Sequence, residues 1–257
     1  MDARVAGSVV SPMTVAPCDL DFEGIAADVM AVIDRVRDTD ASTRWPCVTL
    51  SYAQSLDGSI AGCNGETLGI SGGLALDFTH RLRAMHEAIL VGVNTVLTDN
   101  PRLTVRRVEG PNPRPVVVDS HLRIPLDSRL VQRRDAATIV ATTEGACSEK
   151  AALLAACGAE VWFLPKTPCG RVDLPALFSR LGAEGITSVM VEGGASIITS
   201  VIESDLADQL VVTVAPRLLG GVRAIGSLEG AGVARPGLVR VRYQLAGDDL
   251  LVHSEFA

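Results

Sequence analysis

Several features are missing from this sequence of 257 residues, and each absence argues against a class of protein. No apolar run reaches the roughly 18–20 residues that cross a bilayer. The N-terminal stretch MDARVAGSVV lacks the basic start and long apolar core of a secretory signal. The six cysteines are scattered without a C-x-x-C pair, and the four histidines form no H-x-x-x-H pattern. We therefore expect a cytoplasmic protein with reduced cysteines, no membrane partner and no metal.

Two familiar motifs are also absent. The sequence contains no G-x-G-x-x-G fingerprint and no G-x-x-x-x-G-K-[ST] loop. A standard dinucleotide motif and a P-loop are therefore unsupported. The 30 acidic residues outnumber the 23 basic ones, giving a net charge of −7. This balance argues against nucleic acid as a partner, because duplex binding depends on a broad basic surface.

The chain divides near Trp45-Pro46. Residues 1–44 form an N-terminal extension, within which FEGIAADVMAVIDRVRD (22–38) has apolar residues at helical spacing. This spacing predicts one helix, packed on the main domain or on a partner subunit. Residues 45–257 form the second region, which we interpret as a single domain, and the hydrophobic content of 47% suits a substantial core.

From Cys47 onward, short apolar β-rich runs alternate with helical segments. The predicted strands are 47–53, 88–93, 114–120, 137–143, 159–164, 188–193 and 206–216, and the predicted helices are 74–86, 148–157, 173–183 and 195–202. This alternation predicts an α/β fold with a mainly parallel central sheet flanked by helices. The tail, LVRVRYQLAGDDLLVHSEF, predicts two antiparallel C-terminal strands that turn at Gly247-Asp248.

Polar clusters fall at the carboxyl ends of four predicted strands. They are SLDG, NTVLTDNPRLTVR, DSHLR and EGGAS, in chain order. Ligands of open α/β sheets bind outside the carboxyl ends of the strands, where loops and helix N-termini meet. The shared position of the four clusters therefore predicts one active site.

The most basic segment covers residues 81–107, where five arginines are offset only by Glu87 and Asp99, a local charge of +3 (5 − 2). Arg83 and Arg106 flank the apolar run AILVGV, and arginines gathered around the end of such a strand can grip a phosphate in two places. A solvated helix face followed by a charged loop explains the same residues. Spacing alone leaves both interpretations open.

The EGGAS turn is the best candidate for a phosphate cradle. Two glycines let the backbone approach a ligand, and a helix that begins at Ala195 would direct free N–H groups at an anion. A purely structural turn remains an alternative. Glu192 either accepts hydrogen bonds from substrate amino groups or caps the following helix. Asp57-Gly58 and Asp99-Asn100-Pro101 are interpreted first as turns.

Five longer pieces of the sequence occur in the order found in a known family. They are VTLSYAQSLDGSIA (48–61), ILVGVNTVLTDNPRLTVR (89–106), RPVVVDSHLRIP (114–125), VEGGAS (191–196) and DQLVVTVAPRLLGG (208–221). Residues 45–257 thereby resemble the pyrimidine reductases of riboflavin biosynthesis, and are closer to stand-alone fungal and archaeal members than to the bacterial fusion with a deaminase. The resemblance implies a dihydrofolate-reductase-like fold, NADPH as cofactor, a homodimer, and a small phosphorylated substrate. The implied reaction converts a ribosylaminopyrimidine 5′-phosphate to its ribitylamino form.

Carried over position by position, the resemblance also implies binding residues. Substrate contacts would fall on Thr67, Arg83, Leu103, Arg106 and Glu192. NADPH contacts would fall on Ala53, Gly69, Thr95, Asp99, Ser120 and the stretch from Gly194 to Ser200, which includes Ala195, Ser196 and Ile197. Thr95 and Asp99 would line the nicotinamide side, Ser120 would lie near the adenosine ribose, and Arg123 would meet the 2′-phosphate.

Two departures from the family pattern affect the substrate side. Ser51 stands where bacterial fusion members often have lysine, and TLGIS (67–71) stands where they have S-x-W-I-T. Without that tryptophan, Gly69 would contribute only a backbone contact. The sequence therefore does not decide between the diamino and the deaminated pyrimidine, which differ by one exocyclic amino group.

The implied chemistry is hydride transfer to C1′ of the sugar after the ribosylamine opens to an imine. No residue is an obvious acid, so we expect water or the substrate to protonate the imine nitrogen. Three alternatives remain open: a reductase of the same fold acting on another pterin or pyrimidine such as dihydrofolate, a non-catalytic nucleotide-binding protein, and a structural subunit without a ligand.

Overall fold

The computed structural model describes residues 23–38, 45–66, 68–226, 228 and 237–257. The helices are α1 (Glu23–Asp38), α2 (Gly73–Met85), α3 (Val93–Asp99), α4 (Ser148–Ala156), α5 (Leu174–Ala183) and α6 (Ala195–Glu203). The strands are β1 (Cys47–Ser55), β2 (Ser59–Ala61), β3 (Ala88–Gly92), β4 (Arg114–Val118), β5 (Ile139–Thr143), β6 (Glu160–Leu164), β7 (Ser188–Glu192), β8 (Gln209–Ala215), β9 (Val222–Arg223), β10 (Leu238–Ala246) and β11 (Asp249–Phe256).

Within the described part of the chain, nine strands form one sheet in the order β10-β11-β8-β1-β7-β3-β4-β5-β6. The pairs from β8 to β6 are parallel, whereas β11 runs antiparallel to β8 and to β10. The expected dihydrofolate-reductase-like class, with a mainly parallel sheet and antiparallel C-terminal strands, is confirmed. Every strand and helix predicted from periodicity is present within a few residues of its expected bounds.

The central strands are buried because helices cover both faces of the sheet. On one face, α1, α2, α3 and α4 contribute side chains to a core that includes Ile33, Phe78 and Leu154. On the other face, α5 and α6 contribute side chains such as Phe178 and Val201. Strands β3 and β5 are buried at every position, as their uninterrupted apolar or small sequences predict.

Helix α1 confirms the helix predicted in the N-terminal extension, and it packs on the sheet of the same chain. Its apolar positions are buried against β1 and β11, and ion pairs join Arg35 to Glu255 and Asp28 to Arg242. Three elements were not predicted: α3, and the short strands β2 and β9, which pair with each other. No helix within the described ranges is long and apolar enough to cross a membrane.

A chain of buried hydrogen bonds ties α2 to the sheet. His86 donates from Nδ1 to the Leu82 carbonyl at 2.7 Å, so its Nε2 accepts from the Thr49 hydroxyl at 2.7 Å. Gln209 donates to the Thr49 oxygen at 2.9 Å and accepts from Nε2 of His253 at 2.9 Å. Because each buried donor meets an acceptor, this arrangement fixes α2 and the residues that it carries.

Candidate active site

A cleft of about 730 Å³ opens at the carboxyl ends of the central strands, a size typical of small-molecule sites. Three of the predicted polar clusters contribute to its wall: those that follow β3, β4 and β7. The short strands β2 and β9 contribute Ile60, Ala61 and Val222. The cleft therefore lies at the sheet edge where the sequence places the active site.

The glycine bend between β7 and α6 forms one wall of this cleft. Gly193 and Gly194 have φ values of +82° and +83°, which only glycine adopts without strain. A Cβ atom on Gly194 would lie 3.2 Å from Oγ1 of Thr95, so the space beside it is narrow. Gly194 is the N-cap of α6 and provides no side-chain hydrogen bond, which leaves the first N–H groups of the helix available to an anion.

Most of the residues predicted to contact the cofactor come together in the cleft. Its lining includes Thr95, Asp99, Ser120, Gly194, Ala195, Ser196, Ile197 and Ser200. Arg123 also lines it and donates to Oδ1 of Asn94 at 2.8 Å. Four predicted contacts lie outside the lining. Ala53 is half-buried on β1, the carbonyl of Gly69 accepts from Arg217, and Ile198 and Thr199 belong to the stretch from Gly194 to Ser200.

Arg83 and Glu192 form an ion pair where α2 meets the end of β7. Nε of Arg83 donates to Oε2 of Glu192 at 2.8 Å, and Nη2 donates to Oε1. The side chains are 9% and 22% exposed, so this charge pair is largely shielded from water. Glu192, the residue immediately before the glycine bend, therefore does not cap α6. Its carboxylate orients Arg83 instead.

Arg106 lies beside this pair on the segment that follows α3. Nη1 of Arg106 and Nη1 of Arg83 both donate to the Thr104 carbonyl, at 3.3 and 3.1 Å. Desolvation, followed by the positive charges of Arg83 and Arg102, lowers the pKa of Arg106. The two arginines predicted to bind a phosphate are thus neighbours that share the Thr104 carbonyl, and Glu192 links Arg83 to the start of the glycine bend.

Two other arginines of the basic segment fit the plainer interpretation. Arg81 pairs with Glu23, and Arg107 pairs with Asp77 at 2.6 Å, on exposed surface. Leu103, a predicted substrate contact, is buried in the core with φ of +52°, which leaves its backbone rather than its side chain for such a contact. Thr67, the remaining predicted substrate contact, lies outside the described residues.

From the sequence we assign no role to His80 or Arg171, although the structure places both of them at the site. His80 is buried, and its Nδ1 accepts from the main-chain N–H of Arg106 at 3.0 Å. Burial, followed by the charges of Arg83 and Arg106, lowers the pKa of His80 to about 4. Arg171 lines the cleft on the loop that follows β6. A signal for His80 exists in the sequence, since it lies three residues before Arg83 on one helix face.

Asp57 confirms its interpretation as a structural turn residue. Its carboxylate accepts from Oγ of Ser55 at 2.6 Å, from Oγ of Ser59 at 2.9 Å, and from the N–H groups of Leu219 and Gly220. These hydrogen bonds lower the pKa of Asp57. The carboxylate therefore joins the β1–β2 turn to the loop before β9, which contributes Val222 to the cleft.

The sequence profile of the RibD C-terminal domain family matches residues 46–252, which is most of the chain. The chain belongs to that family. One curated relative is a reductase of Methanothermobacter thermautotrophicus, the 2,5-diamino-6-ribosylamino-4(3H)-pyrimidinone 5′-phosphate reductase. It is 39% identical over 214 residues, which cover 80% of this chain and 96% of the relative. The riboflavin biosynthesis protein RibD of Actinobacillus pleuropneumoniae is 35% identical over 253 residues, covering 96% of this chain and 66% of the relative.

Solved structures of the same family have the same fold. The riboflavin biosynthesis reductase of Saccharomyces cerevisiae superposes with a TM-score of 0.68 at 28% identity, covering 90% of this RibD C-terminal domain chain and 100% of the yeast chain. The deaminase/reductase of Thermotoga maritima superposes with a TM-score of 0.66 at 28% identity, covering 83% of this chain and 57% of that chain.

Proposed function

We propose that this chain reduces a ribosylaminopyrimidine 5′-phosphate to the ribitylamino form in riboflavin biosynthesis, with NADPH as the hydride donor. The observation that carries the proposal is the convergence of Arg83, Arg106 and the Gly193–Gly194 bend at one edge of the sheet. A substrate phosphate needs cationic donors, and a cofactor needs the adjoining cleft. The names of the relatives, at up to 39% identity, favour this reaction over that of a dihydrofolate reductase.

The cleft fits an extended, anionic dinucleotide. Its lining combines a free helix N-terminus at Ala195 with the arginines Arg123 and Arg171 and with the Ser120 hydroxyl. We assign the pyrophosphate to the N-terminus of α6, where unpaired N–H groups and the helix dipole favour negative charge. Arg123 is assigned to the 2′-phosphate, and Thr95 and Asp99 to the nicotinamide side.

The protein contributes orientation and charge to the reaction. NADPH, when bound, supplies a hydride to the C1′ carbon of the opened sugar imine. Arg106 and the free N–H groups of Arg83 would hold the phosphate at the other end of the ribose chain, which restricts where C1′ can lie. Such positioning can lower the activation barrier by about 7–11 kcal/mol when the reacting atoms are aligned. Water or the substrate would protonate the imine nitrogen.

The test is a spectrophotometric assay with four combinations of reactants. The diamino and the deaminated ribosylaminopyrimidine 5′-phosphates are each tried with NADPH and with NADH, and oxidation of the cofactor is followed by loss of its near-ultraviolet absorbance. Oxidation with at least one pyrimidine and faster turnover with NADPH are expected. Turnover of dihydrofolate but of neither pyrimidine would favour the other reductase, and no oxidation with any substrate would favour a non-catalytic nucleotide-binding protein.

We also propose that the active form is a homodimer that pairs through β10. This strand is the last of the sheet in the described residues, and Val241, Tyr243 and Leu245 on one of its faces are 43%, 65% and 61% exposed. An edge strand with a row of exposed apolar side chains is typical of a protein interface. Light scattering should give twice the chain mass of 26.9 kDa. The variant Tyr243→Glu/Leu245→Lys should be monomeric, and a wild-type monomer at micromolar concentration would contradict the proposal.

A further inference from the structure

One face of α2 holds the segment that carries Arg106. Asp77, His80 and Arg83 follow one another at intervals of three residues, so their side chains lie along one side of the helix. Each of them contacts a different residue of the segment Thr104–Arg107. The sequence order of these contacts is reversed between helix and segment, so the two lie side by side in opposite directions.

The three contacts differ in what they hold. Nη1 of Arg83 donates to the Thr104 carbonyl at 3.1 Å, and Nε of Arg107 donates to Oδ1 of Asp77 at 2.6 Å. Between them, the main-chain N–H of Arg106 donates to Nδ1 of His80 at 3.0 Å. His80 therefore fixes the backbone of the residue whose guanidinium is assigned to the substrate phosphate.

His80 is suited to this role because it is neutral at physiological pH. It is 2% exposed, and burial together with the charges of Arg83, Arg106 and Arg107 lowers its pKa, although Glu192 opposes them. A neutral imidazole keeps a lone pair that accepts a hydrogen bond, whereas a protonated one has only donors. Arg83, Glu192, Arg106 and Arg107 are the charged groups that act on it.

We propose that His80 is a positioning residue for substrate-phosphate binding, acting through the main chain of Arg106. The inference rests on the proposed function. Without an acceptor at this position, the N–H of Arg106 loses its partner and the segment loses its central attachment to α2. The side chain of Arg107 stays bound to Asp77, so it does not replace Arg106 at the phosphate. His80 and the 104–107 segment are not part of the cleft lining assigned to the cofactor, so cofactor binding should be unchanged.

The kinetic test compares His80→Leu with His80→Gln, whose amide oxygen can accept the same hydrogen bond. His80→Leu should raise KM for the phosphorylated substrate about five- to tenfold, the factor that corresponds to one ordinary hydrogen bond, and change kcat less than twofold. His80→Gln should restore most of the affinity. Thr79→Ala, whose hydroxyl donates only within α2 to the Ala75 carbonyl, is the control and should leave KM unchanged. Equal losses in the Leu and Gln variants, or no loss in either, would overturn the proposal.

A double-variant comparison separates positioning from general structural damage. If His80 acts through Arg106, then His80→Leu/Arg106→Ala should have the same KM as Arg106→Ala alone. Additive effects would overturn the proposal, as would equal losses on the phosphorylated and dephosphorylated substrates.

Calorimetric titration with ribose 5-phosphate gives a readout that does not need turnover. His80→Leu should bind this probe five- to tenfold more weakly than the wild type and His80→Gln do. If the three proteins bind the probe with these relative affinities but the wild type oxidises no cofactor, the positioning role stands and the proposed reaction fails. If His80→Leu binds the probe as well as the wild type, the positioning role fails whatever the assay shows.

Discussion

Glu192 binds the guanidinium of Arg83 on two nitrogens, and the Thr104 carbonyl binds a third N–H of the same group. A guanidinium has five N–H donors in one plane, so two remain for a ligand. Arg83 is therefore oriented by protein contacts before a substrate arrives. Its charge is matched by Glu192, whereas Arg106 contacts only a neutral carbonyl through its side chain in the described residues. Arg106 thus provides the net positive charge that a phosphate needs.

The Arg83–Glu192 pair should contribute to stability as well as to binding. Glu192→Leu leaves the charge of Arg83, 9% exposed, without its partner, and should lower the free energy of unfolding by about 3 kcal/mol. Urea denaturation measures this loss. The double variant Arg83→Met/Glu192→Leu, which buries no lone charge, should be more stable than Glu192→Leu. A double variant that is less stable than the single one would show that the pair is not coupled in this way.

Replacing Arg106 tests the phosphate site. Arg106→Ala should raise KM for the phosphorylated pyrimidine by at least about tenfold, because a hydrogen bond to a charged group is worth roughly 1.5–3 kcal/mol. Arg37→Ala removes an equal charge from the exposed surface of α1 and serves as the control. An unchanged KM in Arg106→Ala would remove this residue from the site.

Gly194 should be required for cofactor binding. Gly194→Ala places a methyl group at positive φ and 3.2 Å from Oγ1 of Thr95, at the mouth of the assigned pyrophosphate site. We expect the dissociation constant of NADPH, measured by fluorescence titration, to rise about tenfold or more. Gly185→Ala is the matched control, because Gly185 has φ of +82° with nothing within 4 Å of the added atom. An equal rise of the NADPH dissociation constant in both variants would attribute the effect to backbone strain alone.

Arg123 should determine the preference for NADPH over NADH. Its guanidinium lines the cleft and is held by Asn94, so it is placed for a monoester phosphate on the cofactor. Arg123→Ala should raise KM for NADPH about tenfold and leave KM for NADH unchanged, which makes NADH the internal control. A parallel rise for both cofactors would place Arg123 elsewhere on the dinucleotide.

Buried His86 predicts a loss of stability in mild acid. Burial lowers the pKa of His86 to about 4, below the ordinary value of 6.5. Between pH 6.5 and 4 the imidazole of His86 is protonated in the unfolded chain but not in the folded one. The free energy of unfolding is therefore highest above pH 6.5 and decreases as the pH drops towards 4. The shift corresponds to a loss of about 3 kcal/mol over that window. Urea denaturation across this range measures it, and His86→Gln should show a flatter profile.

The sequence predicts the sheet well because the central strands are continuous apolar runs. It fails at α3 because NTVLTD has no long periodic pattern and is followed by Asn100-Pro101, which looks like a turn. The turn exists, since Asn100 has φ of 40°, but it ends a helix instead of a loop. Strands β2 and β9 are too short, at three and two residues, to leave a periodic signal.

The candidate site is predicted where chemistry is visible in single residues. Arginines, glycines and a strand-end carboxylate suggest anion binding by their types alone. Pairwise contacts are not visible in the sequence: nothing at Glu192 indicates Arg83 as its partner 109 residues away, and nothing at His80 indicates the backbone of Arg106. These contacts depend on how α2 and the 104–107 segment pack, which only the tertiary structure supplies.

Isotope transfer is the most direct test of the proposed hydride transfer from NADPH to C1′ of the substrate. The chain is incubated with NADPH carrying deuterium at nicotinamide C4 and with a ribosylaminopyrimidine 5′-phosphate, and the product is analysed by mass spectrometry and NMR. We expect one deuterium at C1′ of a ribitylamino product in the wild type, and slower transfer in Arg106→Ala at low substrate concentration. A product with deuterium at another carbon, or no transfer from either stereoisomer of the labelled cofactor, would contradict the proposal.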